Sequence, residues 1–278
     1  MRIATFSPSS KPSEELLKKA IQNLKGRGFE VELSPNLLGE RGLNESSDEE
    51  RFLDFRWAFF ESNSPVIIPS RGGYGLSRIL ERISELDFSS VRKTVIGFSD
   101  LTFVLNYLSS FENLDVFHGP MLATNLSMGD YEHFLYLERA INKIPYEVQW
   151  EGDSSGGQFF GKIYGGNLTC FSLLVGTKFF PDIDDAILFL EEHNEAEYRV
   201  DRMLYFLKYS GVFQKIKAVI VGFSDVGYDV YINFFRKNKI PFSTNFPGGH
   251  GERNLPFPIG KVCEFDADKN TLKVHFER

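Results

Sequence analysis

Residues 94–111, TVIGFSDLTFVLNYLSSF, pass from a short β-branched run through Gly-Phe-Ser-Asp into a stretch whose apolar residues recur at helical spacing. A run of this kind closed by a glycine reads as a buried strand, and the stretch after it as a helix packed back onto that strand. The same unit repeats toward the N-terminus. RIATF (2–6) is a strand, SPSSKPS (7–13) a loop ending in a helix cap, and residues 13–28 a helix with Leu17, Ala20, Ile21 and Leu24 on one face. Gly26 and Gly28 supply its stop. FEVEL (29–33) alternates as a strand, and Ser47 with Glu50 three residues on has the pattern of a capping box for a helix that carries Phe52, Phe55 and Phe59. VIIPS (66–70), RGGYG (71–75) and LSRILERISEL (76–86) give strand, glycine turn and helix. Parallel neighbours need helical crossovers, so this alternation implies a parallel sheet covered on both faces, with ligands at the carboxyl ends of its strands. Arg71–Gly75 and Gly97–Asp100 lie at such ends.

Around residues 129–157 the pattern breaks into a charged stretch and a Gly/Ser loop, and beyond it the periods are mixed. Residues 158–167, 186–192 and 218–225 read as strands, 168–176 and 198–211 as helices, and 261–276 as a hairpin turning at Asp-Lys-Asn. The expectation is an α/β protein: a Rossmann-like N-terminal domain over 1–128, a linker over 129–157, and a smaller mixed α/β domain over 158–278, with the site in the cleft between them. The string GFSD recurs at 222–225, but its flanks do not match those of 97–100, so duplication is not supported.

The 278 residues are 42% hydrophobic and 25% charged, enough to bury a sizeable core. A net charge of −7 without any Lys/Arg block argues against a nucleic-acid partner. Cys170 and Cys263 stand alone in apolar stretches and read as free thiols. No window reaches the roughly 18 apolar residues of a membrane span, and MRIATFSPSS has no apolar leader core, so a cytoplasmic protein without membrane contact is expected.

A serine at the end of a buried strand is one way to present a nucleophile, and both Ser99 and Ser224 sit so. Among the histidines, His250 lies in NFPGGHGERNLPFPIG, a loop of glycine and proline where a base of near-neutral pKa has room to act. His118 ends an apolar strand and His275 lies in the hairpin, where packing or solvent accounts for both, and His133 lies in a helix-like stretch. His193 neighbours three carboxylates, yet no further ligand stands at metal spacing, and no metal or cofactor is expected. Strand 186–192 runs into Glu191 and Glu192, placing a carboxylate where it could orient a histidine. RGGYG matches neither dinucleotide nor phosphate-loop fingerprints. Its main chain either faces a developing oxyanion or simply takes a tight turn, and Gly165, Gly166 and Asn167 in IYGGN, candidate substrate contacts, admit the same two readings.

Seven ordered segments resemble the LD-carboxypeptidase family of serine peptidases, which includes muramoyltetrapeptide carboxypeptidases and microcin immunity peptidases. They are SPSS, RGGYGLSRIL, GFSDLT, FHGPM, YGGNLTCFSLLVGT, ILFLEEHNEAEYRVDRML and GGHGERNLPFPIG. The resemblance implies Ser99 as nucleophile, Glu191 rather than Glu192 as the orienting carboxylate, and His250 as base. The oxyanion hole would use the N–H of Asp100 and of Gly73 in preference to Gly72. GFSDL lacks the second glycine of the G-x-S-x-G elbow, which points away from α/β-hydrolases. The resemblance further implies a murein tetrapeptide as substrate, release of its terminal D-alanine in peptidoglycan recycling, and a homodimer. Arg71 is the candidate for the substrate carboxylate by charge and position. The alternatives are cleavage of a peptidyl- or aminoacyl-nucleotide antibiotic, or a non-catalytic α/β ligand-binding protein.

Overall fold

The computed structural model describes residues 1–276. The N-terminal part alternates strands β1 (Arg2–Thr5), β2 (Glu30–Leu33), β3 (Val66–Ile67), β4 (Thr94–Gly97) and β5 (Asp115–His118) with helices α1 (Glu14–Lys25), α2 (Glu45–Arg56), α3 (Leu76–Ser84) and α4 (Thr102–Leu108). After α5 (Tyr131–Ile141) come β6 (Tyr146–Gln149), β7 (Ser154–Ser155), β8 (Gln158–Asn167), α6 (Leu168–Leu174), β9 (Ala186–Glu192), α7 (Glu197–Tyr209), β10 (Ile216–Ser224) and α8 (Asp229–Asn238). Strands β11 (Phe242–Ser243), β12 (Phe257–Pro258), β13 (Val262–Asp266) and β14 (Thr271–Val274) complete the chain.

The first sheet has the order β12-β5-β4-β3-β1-β2, with β1 to β5 all parallel. The order reverses between β1 and β3, and in such a sheet the crevice beyond the carboxyl ends at the reversal is where a ligand fits. Three loops leave that edge: after β1, after β3 and after β4. Helix α1 follows the expected face, burying Leu17, Ala20 and Leu24, and Ser13 Oγ accepts the Leu16 N–H as its cap.

One local expectation is corrected. The cap of α2 is Asn44, whose Oδ1 accepts the Ser47 N–H. Ser47 is already inside the helix and its hydroxyl is engaged by the preceding turn, accepting from Gly42 N–H and donating to Glu40 O. Glu50 is drawn to Arg41 instead of back to a cap.

The second sheet has the order β6-β14-β13-β8-β9-β10-β11-β7, parallel from β8 through β11 and antiparallel elsewhere. The stretch 129–157 is thus partly structural: it supplies α5, an edge strand of this sheet in β6, and β7 at the opposite edge. β12, although near the C-terminus, pairs antiparallel with β5 of the first sheet, Phe257 opposite His118. Pro258 is tolerated there because an edge strand has no partner on its far side to need the missing N–H. Among the described residues no helix is long and apolar enough to cross a membrane.

The two sheets meet where α4 packs on the end of β8. Asn106 bridges Thr102 O and Gly165 O with its amide and accepts the Gly165 N–H, while Thr102 Oγ1 accepts the Asn167 N–H. Gly165 takes φ +122, and a Cβ on it would lie 1.9 Å from Phe189 O. Neither the conformation nor the space admits a side chain, so Gly165→Ala is expected to lower Tm by several degrees, at about 2–4 °C per kcal/mol for a chain of this order. A thermal melt checks this; an unchanged Tm would refute the packing argument.

Candidate active site

Ser99 sits at the apex of the turn between β4 and α4. It adopts φ +63, a left-handed conformation uncommon outside glycine, which a tight strand-to-helix turn imposes and which leaves the side chain half-buried at the sheet edge. The neighbouring turn is shaped to admit it. A Cβ at Gly72 would stand 2.9 Å from Ser99 Cβ and 3.0 Å from its Oγ, and 3.5 Å from the Asp100 nitrogen. Only glycine fits against the serine there.

The three loops are tied together. The Ser10 N–H donates to Gly72 O, Ser10 Oγ accepts the Tyr74 N–H, and Ser9 Oγ donates to Asp100 Oδ2 at 2.6 Å. The same Asp100 oxygen accepts the Leu76 N–H at the start of α3. Burial raises the Asp100 pKa against those hydrogen bonds and the nearby Arg51 charge, so its side chain acts as a brace between loops. The N–H groups of Gly72 and Gly73 find no acceptor among the described residues.

His250 arrives from the other sheet on the loop between β11 and β12. The second GFSD has its role here: β10 bulges after Val221, and the Phe223 N–H donates to Gly248 O, holding the loop. Asn254 Oδ1 accepts the Gly249 N–H, its Nδ2 donates to Asn125 Oδ1, and its own N–H donates to His133 Nε2. Burial lowers the His133 pKa, which keeps the ring neutral and that nitrogen an acceptor. Gly249, at φ +103, leaves room for Glu191, whose Oε2 would lie 2.6 Å from a Cβ there.

Glu191 and Glu192 are both buried and face different partners. Glu192 accepts four hydrogen bonds, from Asn167 Nδ2, His193 N–H, Thr169 N–H and Thr169 Oγ1, and so anchors the start of α6. Burial raises its pKa. Glu191 turns the other way: its Oε2 lies 2.7 Å from His250 Nδ1 and accepts the His250 N–H at 3.3 Å. On the far side of the ring, His250 Nε2 stands 3.0 Å from Ser99 Oγ. Hydroxyl, imidazole and carboxylate are therefore in line, drawn from both sheets. Burial acts to lower the His250 pKa, but the charge and hydrogen bond of Glu191, helped by Glu192 and Asp225, outweigh it and leave it above the usual 6.5.

The other sequence candidates lie around this line or away from it. Arg71 is half-buried, donates only to Gly72 O at 3.3 Å, and has no carboxylate partner among the described residues. Gly165 and Gly166 are buried against Phe189 O and Thr102, and Asn167 caps α6 while donating to Glu192, so the contacts these three make are with the protein's own elements. Ser224 is buried, and its hydroxyl faces the buried Tyr231 hydroxyl and not an imidazole. His118 is buried behind the site, stacked on Phe257 at 4.9 Å, with burial lowering its pKa to about 4. His275 is exposed. Sequence reasoning missed Asn125, Asn254 and His133. Asn-Leu-Pro after a glycine loop is a weak turn signal at best, and the partners lie more than a hundred residues apart.

Comparison with known proteins gives the family of the chain. The description "LD-carboxypeptidase N-terminal domain" matches residues 3–119 and "LD-carboxypeptidase C-terminal domain" residues 160–265. The chain belongs to the LD-carboxypeptidase family. It is a serine carboxypeptidase-like hydrolase. The probable murein peptide carboxypeptidase of Bacillus subtilis (strain 168) is 29% identical, the match covering 98% of this chain and 91% of that one. The muramoyltetrapeptide carboxypeptidase from Oxalobacter formigenes superposes with a TM-score of 0.85 at 30% identity, covering 99% of each chain. The microcin self-immunity protein MccF, solved in complex with aspartyl sulfamoyl adenosine, shares the fold with a TM-score of 0.87 over 99% of this chain and 96% of its own, at 22% identity.

Proposed function

We propose that this LD-carboxypeptidase-family protein releases the terminal D-alanine of murein tetrapeptides by acyl-enzyme chemistry on Ser99. The observation that carries the reading is the in-line chain from Ser99 Oγ through His250 to Glu191, at 3.0 and 2.7 Å. His250 Nε2 takes the Ser99 proton as Oγ attacks the scissile carbonyl. Glu191 holds Nδ1–H, fixing the tautomer and stabilising the imidazolium. The tetrahedral oxyanion would be met by the N–H of Asp100 and one from the Gly72–Gly73 turn. His250 then returns the proton to the departing amine of D-alanine, and water admitted to the same base cleaves the acyl-enzyme. Arg71, with no carboxylate partner of its own among the described residues, is suited to hold the substrate's terminal carboxylate. Gly165, Gly166 and Asn167 would act by keeping β8 and α4 docked beside Ser99.

The names borne by the Bacillus subtilis and Oxalobacter formigenes relatives support the murein substrate, and a role in cytoplasmic peptidoglycan recycling by a homodimer goes with it. Incubation of the purified protein with a murein tetrapeptide should release D-alanine. Because the base must be neutral to accept a proton and its pKa is raised, kcat/KM should climb with pH through an acid limb lying above 6.5. Release from an aminoacyl sulfamoyl adenosine but not from the tetrapeptide would overturn the murein reading in favour of the immunity branch.

A further inference from the structure

His193 is a histidine that this chemistry leaves unused, and it lies against the ring the chemistry depends on. The imidazoles of His193 and His250 stack with centroids 4.9 Å apart and planes 24° from parallel. Phe98, the residue before Ser99, meets the same His250 ring edge-on at 5.0 Å. His193 is itself anchored: its Nδ1 lies 3.0 Å from Asp225 Oδ2, and its N–H donates to Glu192. Asp225 in turn accepts the Asn194 N–H at 2.6 Å.

The hydrogen bonds of His250 to Glu191 and Ser99 hold its two ring nitrogens but touch neither face of the ring, so on their own they resist a tilt only by bending. Proton transfer weakens steeply as a hydrogen bond bends, so a base that tilts loses its hold on Ser99 Oγ. A flat ring against one face and an aromatic edge at another side oppose that tilt. We propose that His193, anchored by Asp225, is a positioning residue that fixes the plane of the His250 imidazole. The inference rests on the reading of His250 as general base. Its content is shape rather than charge, so a phenyl ring at the same place should serve.

The test uses the full chain and two readouts: tetrapeptide kinetics, and the rate at which a fluorophosphonate probe labels Ser99, which needs no peptide recognition. His193→Ala should lower both kcat and the labelling rate by about tenfold while KM stays within about twofold. His193→Phe should restore both to within about threefold of wild type. Labelling of His193→Ala at the wild-type rate, a loss confined to KM, or a His193→Phe variant as slow as the alanine one would each overturn the proposal. Should the wild-type protein itself resist labelling at Ser99, the assignment of the nucleophile falls and this inference with it. A labelled wild type with indifferent His193 variants removes the inference alone.

Discussion

Ser99→Ala is expected to lower kcat on the tetrapeptide by about 10⁶-fold, while Ser224→Ala leaves it within about twofold. The two serines stand third in identical four-residue strings, and what separates them is their surroundings. Ser99 Oγ stands 3.0 Å from an imidazole nitrogen at a half-buried strand end, beside a glycine turn whose N–H groups have no acceptor among the described residues. Without the hydroxyl no acyl-enzyme forms, and what rate survives comes from the oxyanion donors and binding. Ser224 is buried, and among the described residues its hydroxyl faces no imidazole but the buried Tyr231 hydroxyl, so removing its Oγ touches no catalytic contact and costs about 1 kcal/mol of stability. Fluorophosphonate labelling followed by peptide mapping distinguishes them: a modified Ser224, or labelling that persists in Ser99→Ala, would exchange their roles.

The second large effect concerns the adjacent carboxylates. Glu191→Gln should cost about 10⁴-fold in kcat with little change in Tm. A glutamine amide can donate to Nδ1, which favours the tautomer carrying its proton on Nε2, and that nitrogen then cannot accept from Ser99. It also removes the charge that holds the His250 pKa up, so residual activity should show its acid limb at lower pH. Glu192→Gln should do the reverse. All four groups bonded to Glu192 are donors, and an amide NH₂ would confront two of them. Each buried donor left without an acceptor costs about 1–3 kcal/mol, so Tm falls while kcat per folded molecule drops far less than for Glu191→Gln. Equal kcat losses in the two variants would show that the orientation of the pair has been misassigned.

Most of the architecture was legible locally. Short apolar runs announced β1 and β3, a β-branched run closed by glycine announced β4, apolar faces announced α1 and α3, and Asp-Lys-Asn announced the hairpin of β13 and β14. Elements whose identity rests on a distant partner were not. β12 is two residues that count as a strand only because β5 lies beside them, and α8 starts without any side-chain cap to mark it. The cap of α2 shows a subtler limit: Asn44 and Ser47 are both good cap residues, and the choice turned on Ser47 Oγ being occupied by the Gly42–Glu40 turn.

By itself the sequence determined the layered α/β class and the placement of serine, carboxylate and histidine at strand ends and in a glycine loop, because strand and helix periods and the φ > 0 of glycine are properties of short stretches. Tertiary structure alone decided which GFSD meets a histidine, which of two neighbouring glutamates turns toward it, and that His193 stacks on it. Those are matters of side-chain direction and approach between segments up to 151 residues apart, which no local period encodes.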